Sequence, residues 1–208
     1  TFVTSEAGVP MYDSGAVLDD LASETGGELV GIGQTTISVI ARVTPQQFGA
    51  AGDGVANDTS SIQEAIDTGA REIFFPAGTY IHGNLTLDND YQRLVGPGAR
   101  LQRNSGAATI TVSGRGVQCR SIQFSGGSNS GNNITVTGPE ATFSDCDSIE
   151  TSGRALLADS DGGNLEIRGG VWNTTDASGT GYDIELHDDT PGTSLYSRLI
   201  GISTNQAT

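Results

Sequence analysis

The chain has 208 residues, with 30 glycines, 35% apolar and 6% aromatic residues. That length suits one large domain, or one domain with a small appendage, and the glycine content disfavours long helices. The net charge is −15 and every basic residue is arginine, so polyphosphates and anionic bilayers are poor partners and nucleic acid is excluded as an expectation.

The first 40 residues differ from the rest. Asp13 or Ser14 caps a short predicted helix with Val17, Leu18 and Leu21 on one stripe, ended by Gly26–Gly27. A helix this short needs a partner surface. Thr35 to Val43 is a β-branched run that reads as a strand. The N-terminus lacks the basic and apolar regions of a secretory signal. No stretch approaches the roughly 20 apolar residues of a membrane span, so membrane insertion is not expected.

"FGAAGDGVANDTSSIQEAIDTGAREIFFPAGTY", Phe48 to Tyr80, follows. Its first ten residues can hold only turns. Asp58 or Thr59 caps a predicted helix to about Gly69, with Ile62, Ala65 and Ile66 as its apolar stripe; a later start would pair Ser61 with Glu64 in a capping box. Beyond Tyr80 only short strand-like runs remain. Ile110, Ile134, Leu156 and Ile184 mark a repeat with steps of 24, 22 and 28 residues. In that frame Val117 lies over Ala141, Cys119 over Phe143 and Ile122 over Cys146. The period is too short for a propeller blade of about 40 residues. It fits an all-β fold, a right-handed parallel β-helix (solenoid) whose inward residues stack coil on coil. An antiparallel sandwich is the alternative, disfavoured by the scarcity of two-residue hairpin turns.

The cysteines, Cys119 and Cys146, fall in different stacks and are expected to be buried free thiols. His82 and His187 stand in no Cys/His cluster, so no metal or other cofactor is expected.

With the coils in view, Phe48 to Tyr80 resembles the entry motif of the pectate-lyase-like superfamily, F-G-A-x-G-D-G-x-x-D-D-T-x-A-I-Q-x-A-I followed by P-x-G-x-Y. Asn57 stands where that pattern has Asp. With its lead-in "GGELVGIGQTTISVIARVTPQQ", the chain is most similar to bacteriophage tail spikes and tail fibres. The resemblance implies residues 1–43 as an N-terminal virion-attachment or oligomerisation segment and 44–208 as the β-helix, 44–80 its entry cap and 81–208 roughly five to six coils. It also implies a homotrimer on the outside of the virion's tail, made in the host cytoplasm, joined through residues 1–43 to other virion proteins and adsorbing to host surface polysaccharide. Asp53, Asn57, Asp58, Thr59, Ile62 and Ile66 then form a structural cap. Asp53, Asn57 and Asp58 also lack calcium-loop spacing.

Catalysis has weaker candidates. "NTTDASGTGYDIELHDDT" is similar to the polygalacturonase pattern of N-T-D and a paired D-D, interrupted by Thr175. It nominates Asp176, Asp188 and Asp189 for inverting hydrolysis. A lyase would want Ca²⁺ and a Lys or Arg base, and Lys is absent. Glycan binding has Trp172 and Tyr182 as stacking rings, Arg154 and Arg168 as bidentate donors, and Ser125–Asn133 as an exposed loop. The alternatives to an adsorption protein are a polysaccharide lyase or glycoside hydrolase (a capsule depolymerase) of the same fold, and a head or capsid-vertex spike.

Overall fold

The computed structural model describes residues 3–4, 10–11, 42–159, 164–174, 183–187 and 196–203. The chain divides into two compact units, Thr1–Ser38 and Val39–Thr208. In the first, Val3–Thr4 pairs antiparallel with Pro10–Met11. The helix expected after Asp13 lies outside the described residues, as does most of the strand expected over 35–43.

The second unit is a parallel β-helix. All its strand pairings among the described residues are parallel, which leaves no room for the sandwich. Each coil crosses three faces. The first face stacks Leu85–Leu87, Ile110–Val112, Ile134–Val136, Leu156–Asp159 and Ile184–His187. Ile110, Ile134, Leu156 and Ile184 are in register there, as the repeat predicts. The uneven steps come from turns of different length between strands that themselves stay aligned.

The second face runs from Arg42–Val43 through Glu72–Phe74, the first part of Arg93–Arg103, the first part of Gln118–Asn129, Thr142–Ser144, Asn164–Arg168 and Tyr196–Ile200. Cys119 sits over Phe143, as aligned. The third face comprises Asp53–Asn57, Gly78–His82, the remainders of the two long strands, Asp147–Thr151 and Trp172–Thr174. Inward residues there run Tyr80, Leu101, Phe124, Ser148, Trp172. Small Ser148 leaves room for Trp172, which meets Phe143 edge-on at 5.7 Å. Both cysteines are buried and unbonded, and burial pushes the Cys146 thiol up to about 12.

The helix α1, Thr59–Asp67, lays Ile62, Ala65 and Ile66 over the first coil, all with no exposed surface. An open solenoid end would otherwise expose apolar stacks. Asp58 is the residue before the helix, but its carboxylate does not cap it. The carboxylate instead accepts the Ala51 and Gly52 amides at 2.7 and 3.1 Å and ties the preceding turn down. Asn57 Oδ1 takes the Thr59 amide, and the Thr59 hydroxyl accepts the Gly83 amide. Asp53 accepts the Ala56 and Val55 amides, which hold its carboxyl below the usual carboxylate range. The acids of this knot therefore close on backbone.

Candidate functional site

Where the second face turns into the third, the coils share one left-handed corner. Gly98, Ser121, Asp145, Gly169 and Gly201 stack there, with φ between 53° and 80°. The later coils turn this corner on one residue, whereas the Phe75–Ala77 and Gly96–Gly98 coils take two more. The Gly96–Gly98 coil makes a ledge over Ser121. Below it lies a cleft of about 420 Å³, lined by Pro97, Arg100, Ser121, Gln123, Asp145 and Asp147 among others.

Asp145 and Asp147 flank Cys146, whose side chain points inward. Both carboxylates therefore face outward. Asp147 is oriented by the Val171 amide at 2.8 Å. Arg100 donates to the Ser125 hydroxyl at 2.9 Å and to Glu150, while Ser125 donates to Glu150 at 2.9 Å. Ser125 is fully buried and answers to a carboxylate rather than an imidazole, so it is not an activated nucleophile. Carboxylates, a carboxamide and a guanidinium in one open cleft suit hydroxyl groups of a sugar. Among the described residues, no three His, Cys, Asp or Glu side chains converge as a metal site.

The family model for rhamnogalacturonase A/epimerase, pectate lyase-like proteins matches residues 43–177, well over half of the chain. The chain belongs to this family. The matched stretch begins at the solenoid's first strand and covers the cap, the corner and the cleft. Among solved structures, the chain is similar to ORF18 of Geobacillus virus E2, at 20% identity and a TM-score of 0.60, over 96% of this chain and 41% of that one. It is also similar to the surface adhesin PfbA of Streptococcus pneumoniae, at 14% identity and a TM-score of 0.44, over 77% of this chain and 61% of that one. No curated protein matches. The chain thus spans less than half the length of the viral protein whose fold it shares.

Several expected site residues of this pectate-lyase-like chain are placed differently by the structure. Trp172 has no exposed surface and stands in the core, so it offers no ring to a sugar. The two-residue alternation that would put it outside is reset by the corner at Gly169–Gly170. Ser125–Asn133 is not an exposed loop either: the strand continues through Asn129, and Ser125 and Asn133 are fully buried. Arg154 pairs with Glu185 and reaches Asn132 Oδ1 at 3.4 Å. Arg168 pairs with Glu166 at 2.8 Å and stays half exposed. Asp176, Tyr182, Asp188 and Asp189 lie outside the described residues.

Arg103 is a buried residue that composition and motif alone did not single out. This side chain is 2% exposed and donates to the carbonyls of Ala108, Asn129, Ser130 and Asn132, clamping two turns from inside the solenoid. The signal was present: in "LQR", Leu101 and Arg103 share strand parity, so an inward Leu101 puts Arg103 inward. Its neighbour His82 is equally buried, donates from Nδ1 to Gly83 O at 2.7 Å, and is pushed down to about 4 by burial.

Proposed function

We propose that this chain is the host-adsorbing part of a phage tail spike or fibre, a virion protein whose solenoid flank binds host surface polysaccharide. Residues 1–43 join it to other virion proteins, and three chains stand side by side. The observation that supports this most is the shared fold with a viral protein over 96% of the chain. The cleft of hydrogen-bonding groups, without a ring platform, is consistent with weak, repeated contacts to a glycan. Multivalency then supplies the strength: in a trimer, linked sites raise avidity without new contacts. Light scattering on the purified chain tests the assembly, with a trimer expected and a clean monomer arguing for a secreted enzyme instead.

A second reading has its own support. The family carries the name of a rhamnogalacturonase, and Asp145 and Asp147 share one cleft. Two carboxylates flanking a glycosidic bond are the apparatus of most glycosidases. A reducing-end assay on host surface polysaccharide decides between the two: turnover by this chain, lost in Asp145→Asn and Asp147→Asn, makes it a depolymerase.

A further inference from the structure

The second face carries a charge opposite to that of the chain. Its outward positions hold Arg42, Arg93, Arg120, Arg168 and Arg198 against only Glu72 and Glu166. That is half of the arginines and, among the described residues of this face, a surplus of three positive charges on a chain of net charge −15. Glu72 is shared by Arg42 at 2.6 Å and Arg93 at 3.7 Å, and Glu166 by Arg168 at 2.8 Å and Arg198 at 3.6 Å. Each trio keeps one net positive charge. Arg120 is exposed and, among the described residues, has no ion-pair partner. Register places Arg120 two coils above Glu72 and two below Glu166. At about 4.8 Å per coil, the three surplus charges are spaced about 10 Å apart along the solenoid axis, with Arg120 offset by two residues along its strand from the column of Glu72 and Glu166.

From this spacing we infer that the second face binds a linear acidic polysaccharide bearing about one carboxylate or sulfate every 10 Å. The inference deepens the polysaccharide-adsorption reading and rests on it, but it uses a different surface from the cleft. Three considerations select the occupant. Six coil steps by a three-residue strand make a strip of about 29 by 10 Å, well under the ~800 Å² per partner of a stable protein interface. A nucleic acid strand presents a charge every ~3.4 Å, roughly three for each surplus arginine, and the excess would meet a chain of net charge −15. A sparser polyanion avoids that penalty. At physiological salt the screening length is about 8 Å, shorter than the ~10 Å spacing, so each ligand charge feels its nearest arginine more than the distant acids; at 0.01 M it is about 30 Å and the whole acidic surface repels. The planar fork of arginine suits a carboxylate or sulfate better than the point charge of lysine.

The test uses the full chain and three soluble polymers, by calorimetry or biolayer interferometry. They are hyaluronate with one carboxylate per two sugars, its carboxyl-reduced form, and single-stranded DNA. Hyaluronate is expected to bind, its reduced form and DNA not, with affinity rising from about 0.01 M to about 0.1 M salt before falling. The triple variant Arg93→Gln, Arg120→Gln, Arg198→Gln is expected to lose at least tenfold in affinity, while Arg115→Gln, which removes an arginine paired with Glu140 away from this face, leaves hyaluronate binding unchanged. Equal binding of the reduced polymer, or full binding by the triple variant, overturns the inference. So does dissociation of the chain's oligomer by the triple variant, which would make the strip a subunit interface. Whole host cells separate the two claims. Cell binding kept by the triple variant but lost by the cleft variant, Asp145→Asn with Asp147→Asn, sinks the strip and leaves adsorption standing; no cell binding by the unmodified chain sinks adsorption itself.

Discussion

The entry knot and the arginine face are both rich in charge, and they use it in opposite ways. In the knot, Asp58 is 2% exposed and both its oxygens accept the backbone amides of the turn at Ala51 and Gly52. On the second face, arginine and glutamate side chains pair with each other along the ladder and remain in water. A carboxylate closing on buried amides is architecture, because removing it strands donors in a dry place. An exposed pair is close to neutral for folding, so evolution is free to set its sign for a partner. The same residue types therefore report stability in one region and recognition in the other.

The contrast is broken most severely at the cap. Ile62→Ala removes a fully buried side chain between α1 and the first coil and is expected to cost about 3 kcal/mol, read as a drop in urea midpoint at constant slope. Acid comes next. His82 is neutral in the native state with its pKa at about 4, against 6.5 when exposed. The unfolded chain therefore takes up the proton first. Stability is complete above about pH 6.5, falls as pH drops toward 4, and the loss reaches about 3 kcal/mol. His82→Gln should flatten urea midpoints across that window; an unchanged slope would show that other groups carry it. Asp58→Ala follows, at about 2 kcal/mol for two amides left without an acceptor, again in urea.

Much of this division was legible in the sequence. The repeat through Ile110, Ile134, Leu156 and Ile184 gave the solenoid, because inward stacks tolerate only apolar residues at one phase. The cap was visible in Ile62, Ala65 and Ile66, and the structural role of its acids in their crowding with glycine. What the sequence hid is where a corner resets the phase. Trp172 follows the Gly169–Gly170 corner, and its inward place depends on a left-handed turn that glycines permit but do not announce. The cleft was hidden for the same reason, since its depth comes from a coil two residues longer at Pro97–Gly98. The arginine line was hidden differently. Its members are 27 to 51 residues apart, and only the observed register places them on one face.

The smallest expected effect is the sharpest check on the comparison. Arg120 sits at the centre of the face, exposed and outward. It lies on a strand that pairs on both sides, with Val95 and Ser144 as its neighbours. Replacing it by Gln keeps the strand's hydrogen bonds, removes no buried atom and leaves no charge unpaired. Arg120→Gln should therefore change unfolding free energy by less than about 0.5 kcal/mol. A larger loss would mean that the guanidinium holds the sheet together, and the face would then be architecture like the knot. A small gain is equally informative. Removing the middle member of a row of like charges relieves repulsion between surplus charges about 10 Å apart, and that relief should fade as salt rises past 0.15 M, where the screening length falls to about 8 Å. A face that folds as well or better without its central arginine retains that arginine for something outside the fold.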